Sequence, residues 1–171
     1  RIIESLCMLA RADAGQYQIH IERMDLCPVI TDVAEQLKLV AEPKNISVSI
    51  EKTENTFIQG DELLIRMLLL NLADNAMKYT PANGAIKASL SKNNGCVRIV
   101  VEDNGIGISP EDIPHIFDRF YRPNKAGTTN EAGSGLGLSI CQWIVKAHHG
   151  TITVESELQK GSVFIVILPA C

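Results

Sequence analysis

The sequence predicts an α/β sandwich in which helices cover a mixed, largely antiparallel sheet. Segments with apolar residues at helical spacing alternate along the chain with segments patterned as strands, and two of those strands flank a hairpin turn. The 171 residues are 46% hydrophobic and 21% charged, which is a globular composition with enough apolar side chains for one core. We therefore expect one ordinary domain with at most a small appendage.

The first part of the chain predicts a helix, a short strand and a second helix. Residues 1–14 carry apolar side chains at helical spacing, and Gly15 ends the run. A helix this short is marginal in isolation, so we expect it to pack on a partner. Residues 17–22 alternate like a strand, and Asp25 begins a helix that Pro43 ends.

The middle of the chain predicts two strands, at residues 46–51 and 56–59, followed by a long helix. Asp61 is placed to cap this helix, which continues through Tyr79. Further along, Asn93-Asn94-Gly95 is a hairpin turn signal. The elements expected beyond Tyr79 are strands at 85–92 and 96–103, a short helix opened by Ser109 and Pro110, a helix at about 135–149, and strands at 151–157 and 162–169.

Composition disfavours several classes of protein. The formal net charge is −4 and there is no basic stripe, which argues against a nucleic-acid surface. Five scattered cysteines without a CxxC pair favour reduced cytosolic thiols over zinc or disulfides. No apolar run reaches about 18 residues, so we expect no membrane contact by this chain and a cytoplasmic location. Because the chain starts in a helical pattern without methionine, we expect it to be a piece of a longer protein.

The long helix carries a polar face. Asn71, Asn75 and Lys78 lie at positions i, i+4 and i+7, with Tyr79 beside them. Two amide oxygens are reasonable ligands for Mg²⁺, and a lysine one turn away suits phosphate oxygens. Taken alone, this spacing is more typical of a solvated polar face.

The segment DNGIGI, residues 103–108, directly follows a predicted strand. Gly105 and Gly107 let the backbone turn sharply and approach a ligand closely. Asp103 at the strand end is placed to accept a hydrogen bond from an exocyclic amine such as that of adenine. An ordinary turn is the alternative, because Asp-Asn-Gly is common in turns.

A second glycine-rich stretch, EAGSGLGLSI at residues 131–140, runs into a predicted helix. Its glycines at 133, 135 and 137 suit either a phosphate at a helix N-terminus or a tight turn. Before it lies FDRFYR, residues 117–122, in which three aromatic residues accompany Arg119 and Arg122. Such aromatic residues are usually part of a core, so this segment becomes informative only through its position between the two glycine motifs.

The order of these motifs resembles the catalytic ATP-binding domain of sensor histidine kinases. In that family's terms NLADNAMKY is similar to the N box, DNGIG to the G1 box, FDRFYR to the F box and GSGLGL to the G2 box. The resemblance covers residues from about 25 to 169. Residues 1–14 resemble the end of the second dimerisation helix, so we expect a helix end and linker at 1–22 and the catalytic domain at 23–171.

The resemblance implies a Bergerat fold with three main helices on a mixed sheet, and it implies ATP and Mg²⁺ as cofactors. Asn71 and Asn75 would hold Mg²⁺, and Lys78 would reach the phosphates. Residues 123–135 would form a lid that orders around the triphosphate, with Arg122 and Lys125 facing the γ-phosphate. The residues implied to act in phosphoryl transfer are Asn71, Lys78 and Arg122.

The same resemblance implies how the base is recognised. Asp103 would read the adenine amino group with support from the Ser162 hydroxyl, and Tyr79 would contact the base or sugar. The full set implied to bind the nucleotide is Asn71, Asn75, Lys78, Tyr79, Asp103, Gly105, Gly107, Ile108, Arg122, Gly133, Gly135, Leu136, Gly137, Leu138 and Ser162.

Two departures from the family bear on function. The segment that carries the phosphoacceptor histidine does not occur in this chain. Met67 stands four residues before Asn71, where the wider ATPase family often has a carboxylate, so activation of water is poorly supported. Transfer to an incoming imidazole needs that activation less.

Three functions compete. The first is a histidine kinase module, which would transfer the γ-phosphoryl group of ATP to its own dimerisation domain and from there to the receiver domain of a response regulator. The full-length protein would be a homodimer, either soluble or anchored in the inner membrane. A conformational clamp like Hsp90, gyrase or MutL is the second, and Met67 and residues 1–14 weigh against it. A nucleotide-binding regulatory module without transfer activity is the third.

Overall fold

The computed structural model describes residues 2–52, 56–123 and 133–171. Helices and strands alternate as the sequence predicts, and single 3-10 turns lie at Glu42–Lys44 and Ile113–His115. The helices are α1 (Ile2–Asp13), α2 (Leu26–Ala41), α3 (Glu62–Tyr79) and α4 (Gly137–Ala147). The strands are β1 (Glu22–Asp25), β2 (Ser47–Lys52), β3 (Phe57–Gly60), β4 (Ala85–Asn93), β5 (Cys96–Asp103), β6 (Thr151–Glu157) and β7 (Gly161–Pro169).

Five of the described strands form the main sheet, in the order β2-β4-β5-β7-β6. Only β2 and β4 run parallel, and the other neighbours are antiparallel, so the sheet is mixed as expected. The β4–β5 hairpin turns at Asn94 and Gly95, which have φ angles of 47° and 76°. Positive φ at both positions matches the right-handed twist of the flanking strands. Strands β1 and β3 pair separately as a small antiparallel ribbon.

Helices α2, α3 and α4 pack on this sheet around one core. Helix α3 is central, because it packs against α2 on one side and α4 on the other. Alternate residues of the strands, such as Ile99 in β5 and Val166 in β7, join Leu68 and Leu72 of α3 in the core cluster. This confirms the predicted sandwich and sets α3 and α4 side by side above the sheet.

Aspartate caps fix where two of these helices begin. The Asp61 carboxylate accepts hydrogen bonds from the N–H groups of Leu63 and Leu64, at 3.0 and 3.2 Å. The Asp25 carboxylate accepts from the N–H of Cys27 at 3.1 Å. Both starts agree with the sequence prediction, because a side-chain oxygen at the N-cap satisfies N–H groups that have no partner inside the helix.

One local prediction is wrong, and two others differ in detail. Residues 17–22 do not form a strand: β1 starts only at Glu22, where β3 provides a pairing partner, while Tyr17 and Ile19 pack on the core without one. The short helix expected from Ser109 is a 3-10 turn at Ile113–His115. Helix α4 is shorter than predicted, because positive φ angles of 70° at Gly135 and 57° at His149 exclude both residues from the helix.

The N-terminal segment packs against the rest of the protein. Met8 and Leu9 of α1 are buried in the common core, and the Tyr17 and Trp143 rings meet edge to face with centroids 5.0 Å apart. Among the described residues, no helix is both long enough and apolar enough to span a bilayer.

Candidate functional site

The polar face of α3 points toward the start of α4. The Asn71 amide nitrogen donates to the carbonyl oxygen of Met67 at 2.9 Å, which leaves the Asn71 Oδ1 atom directed away from its own helix. A Cβ atom added to Gly137, the first residue of α4, would lie 3.1 Å from this oxygen. Any side chain at position 137 would therefore crowd the Asn71 oxygen.

Asn75 lies one turn further along the same face. Its Nδ2 atom is buried and has no hydrogen-bond partner among the described residues. A buried amide without a partner costs about 1–3 kcal/mol, so such groups usually mark a place where a missing ligand or water completes the site. Asn75 therefore has the property expected of a residue that completes its contacts only when a ligand binds.

Lys78 completes the polar face. Its ammonium nitrogen lies 3.6 Å from the Asp74 carboxylate, and a Cβ atom added to Gly133 would lie 3.0 Å from it. Gly133 and Gly137 thus leave space directly beside Lys78 and Asn71. The backbone around these glycines and the α3 side chains together form a cradle that side chains at these two positions would fill.

Gly135 joins this cradle to the FDRFYR segment. The N–H of Phe120 donates to the carbonyl oxygen of Gly135 at 2.9 Å, and a Cβ at position 135 would come within 2.7 Å of the Phe120 backbone. With its φ of 70°, Gly135 occupies a conformation that side chains rarely adopt. The second glycine motif and the FDRFYR segment are therefore in direct backbone contact.

Asp103 is the last residue of β5, and the glycine loop that follows it contacts the C-terminal end of α3. Burial raises the pKa of the Asp103 carboxyl above its usual range, and the N–H groups of Gly105 and Ser162 counteract this shift. The Gly105 N–H donates to Asp103 Oδ1 at 2.9 Å. The Ile106 N–H donates to the Tyr79 carbonyl at 3.1 Å, which fixes the glycine loop against the end of α3.

A row of polar side chains extends from Asp103 across the sheet. Ser162 of β7 is the register partner of Asp103 in β5, and Ser156 of β6 is the register partner of Ser162. The Ser156 hydroxyl accepts from the Ile108 N–H at 2.8 Å and lies 2.9 Å from the Ser162 hydroxyl. Sequence reasoning missed Ser156, because nothing in the pattern TITVESE separates this serine from an ordinary strand residue.

The remaining predicted residues differ in how exposed they are and in whether the structure describes them. The Leu136 side chain is fully buried in the core, so only its backbone is available to a ligand, whereas Leu138 is partly buried. Arg122 is exposed at the edge of the described residues. Most of the predicted lid, residues 124–132 including Lys125, lies outside the described residues. The Met67 side chain is partly exposed next to Asn71, so no carboxylate stands at that position.

The donor set decides which metal fits. Among the described residues there is no cluster of three or more histidine, cysteine, aspartate or glutamate side chains that could hold a metal ion by itself. The amide oxygens of Asn71 and Asn75 are hard ligands, which suit Mg²⁺ when phosphate and water supply the other positions. The space at Gly137 lies beside the Asn71 oxygen and agrees with such a ligand, whereas the unpartnered Asn75 Nδ2 is a donor and requires an acceptor such as a phosphate oxygen.

Comparison with known proteins identifies the class to which this site belongs. The sequence pattern of the histidine kinase-, DNA gyrase B- and HSP90-like ATPases matches residues 60–171, a range that contains α3, both glycine motifs and the final strand pair. The chain belongs to this family of ATPases.

Within the family, the chain is similar to sensor histidine kinases. It is 32% identical over 169 residues to the sensor-like histidine kinase SenX3 of Mycobacterium tuberculosis, covering 99% of this chain and 41% of SenX3. Full-length ShkA in complex with AMPPNP has a TM-score of 0.85 and 28% identity, covering 99% of this chain and 35% of ShkA. The histidine kinase ThkA, in complex with the response regulator TrrA, has a TM-score of 0.77 and 25% identity, covering 99% of this chain and 48% of ThkA. The chain thus spans less than half of each protein.

Proposed function

We propose that this chain is the ATP-binding catalytic domain of a sensor histidine kinase. The observation that carries the proposal is the cradle between α3 and α4, where Gly137 opens beside the Asn71 oxygen and Gly133 beside the Lys78 ammonium. A triphosphate placed there would meet a cation, amide oxygens for its metal and the N-terminus of α4. The buried Asp103 carboxylate lies at the end of β5, close to the C-terminal end of α3. This is where the base would bind.

In this proposal Asn71 and Asn75 hold Mg²⁺ through their amide oxygens. The bound ion supplies positive charge that neutralises the phosphate oxygens during transfer. Lys78 adds a second positive charge as a compact ammonium, and Arg122 is assigned to the γ-phosphate. Backbone N–H groups around Gly133, Gly135 and Gly137 are assigned to the phosphates as well.

Asp103 selects adenine in this proposal. An ionised carboxylate only accepts hydrogen bonds, so it pairs with the adenine amino group and opposes the carbonyl oxygen that guanine has at the same position. The Ser162 hydroxyl supports the same base edge. Tyr79, Gly105, Gly107 and Ile108 are assigned to the walls of the base and sugar site, and Leu138 to its edge near the phosphates.

The chemical step is transfer of the γ-phosphoryl group to an imidazole outside this chain. The bond between the γ-phosphorus and the bridging oxygen breaks, a phosphorus–nitrogen bond to the histidine forms, and ADP leaves. Met67 offers no base for activating water, which favours transfer over hydrolysis. His148 is unsuited as acceptor, because it is buried and both ring nitrogens are hydrogen-bonded, one to the Asp61 N–H at 3.0 Å and one to the Ile144 carbonyl at 2.7 Å.

We assign residues 1–22 to the end of a dimerisation helix with its linker, and residues 23–171 to the catalytic domain. The proposed partners are the protein's own dimerisation domain, within a homodimer, and the receiver domain of a response regulator. The complex of ThkA with TrrA supports the second partner by similarity.

Labelled phosphate transfer tests this proposal. The chain is incubated with Mg²⁺, ATP labelled at the γ-phosphate, and a separately purified dimerisation domain of the same protein. Acid-labile, base-stable label on the dimerisation domain is expected, and it should be absent with Asn71→Ala. Release of inorganic phosphate without label on the partner would instead support the clamp-like ATPase, and ATP binding without either would support a regulatory module.

A further inference from the structure

We propose that Ser156 is a positioning residue for base recognition, which sets the hydroxyl of Ser162 as a hydrogen-bond acceptor toward the nucleotide. The inference rests on the proposed function, because it concerns the same base site. Ser156 itself does not belong to the set of residues assigned to the nucleotide. It lies in β6, one strand further from Asp103 than Ser162.

The partners of Ser156 determine the direction of each hydrogen bond that its hydroxyl makes. A hydroxyl has one hydrogen to donate and two lone pairs that accept. The carbonyl oxygen of Gly161 can only accept, so the 2.7 Å contact between it and Ser156 Oγ uses the single Ser156 hydrogen. The Ile108 N–H can only donate, so its 2.8 Å contact occupies one Ser156 lone pair.

The contact between the two serines is then determined. Ser156 Oγ and Ser162 Oγ are 2.9 Å apart, and either atom is close enough to donate. Because the Ser156 hydrogen is already used, the Ser162 hydroxyl donates to the remaining Ser156 lone pair. Ser162 consequently presents lone pairs, and no hydrogen, to any other group.

This direction matters for the base. Ser162 is almost fully buried beside Asp103, so its hydroxyl has few alternative partners. An acceptor next to the Asp103 carboxylate suits an amino group, either directly or through a water molecule, and disfavours a purine without that group. Without Ser156, the Ser162 hydroxyl rotates freely and can donate toward the base, so the discrimination weakens.

The structure also offers a simpler role for Ser156, that of a brace. The hydrogen bond that Ser156 accepts from the Ile108 N–H holds the glycine loop against β6. If this were the only role of Ser156, loss of the hydrogen bond would weaken the binding of every nucleotide equally. The two roles differ in one measurable quantity, the preference for ATP over purine riboside triphosphate, which has hydrogen in place of the 6-amino group.

The test is titration calorimetry of both triphosphates with Mg²⁺ on five proteins: wild type, Ser156→Ala, Ser156→Thr, Ser162→Ala and the double alanine variant. The control is Thr153→Ala, which removes an exposed hydroxyl from the same strand on its opposite face. We expect Ser156→Ala to reduce the preference for ATP about threefold to tenfold, the range of one net hydrogen bond. Ser156→Thr should restore it, and the control should leave it unchanged.

The double variant makes the test specific. If Ser156 acts through Ser162, the double variant shows no smaller preference for ATP than Ser162→Ala alone, because coupled residues are not additive. A Ser156→Ala protein that loses affinity for both triphosphates equally, or additive losses of preference, would overturn the inference. Wild-type protein that binds neither triphosphate would refute the proposed function itself.

Discussion

Asp103 holds a carboxylate in a place where burial opposes its charge. That burial raises the pKa of its carboxyl, and two backbone N–H groups partly offset the effect. Burial is costly for a charged carboxylate even with these two donors, so a ligand amino group that pairs with it gains more than the same pair would gain in water. The buried Asp103 charge therefore lowers the stability of the free protein, and in the proposed complex it favours a ligand that carries an amino group.

Asp103→Asn should lower the affinity for ATP by about 1–3 kcal/mol, because an amide can turn a donor toward the adenine amino group. Titration calorimetry with ATP and GTP measures this. Glu102→Gln is the matched control, since that side chain is exposed on the opposite face of β5. Equal wild-type affinities for ATP and GTP would contradict the assignment of Asp103 to adenine.

The raised pKa of Asp103 also predicts a pH dependence. The carboxyl takes up a proton at a higher pH than an ordinary aspartate, and the protonated form loses one acceptor. As the pH falls through this raised pKa, we expect ATP affinity to fall, although an ordinary aspartate would still be ionised. Calorimetry from neutral pH down through the acidic range tests this, and the dependence should be much smaller in Asp103→Asn. The same slope in both proteins would assign the dependence to another group.

The cradle depends on where α4 begins relative to α3. Gly137 is the first residue of α4, and a Cβ atom at this position would lie only 3.1 Å from the Asn71 oxygen. Alanine favours a helix more than glycine does, so a substitution here would not harm α4 itself. Its effect should fall on the space between the two helices.

Gly137→Ala should therefore lower the affinity for ATP several-fold and leave the affinity for adenosine nearly unchanged, because the proposed base site lies around Asp103 and Tyr79. Calorimetry with both ligands gives the comparison. Gln142→Ala, further along the same helix, serves as the control. Equal weakening of both ligands would show that the substitution distorts the whole domain.

His148 connects the far ends of the same two helices. It lies just after α4 and accepts the Asp61 N–H, while Asp61 caps α3. His148→Ala would leave this buried N–H without a partner, so we expect a loss of about 1–3 kcal/mol in the free energy of unfolding. Urea unfolding measures it, with His149→Asn as control, since asparagine tolerates the positive φ of that position. Unchanged stability in His148→Ala would contradict this role.

For the molecule as a whole, local chemistry determines which parts were predictable from sequence. The caps at Asp25 and Asp61 and the turn at Asn94 and Gly95 need only neighbouring residues, and all were predicted. The prediction of a strand at 17–22 was wrong, because alternation of apolar and polar residues does not show whether a pairing strand exists. The order of four motifs is the basis of the predicted site residues, which stay predictions. It did not reveal Ser156, whose proposed role depends on register across β6 and β7.

The proposed function requires that the nucleotide bind between α3, α4 and the end of β5. Amide chemical-shift mapping of this 18.7 kDa chain during titration with ATP and Mg²⁺ tests that location most directly. We expect large shifts for the side-chain amides of Asn71 and Asn75 and for the backbone amides of Gly105, Gly137 and Ser162. Shifts confined to another surface, such as the hollow lined by Gln59, His149 and Cys171, would contradict it.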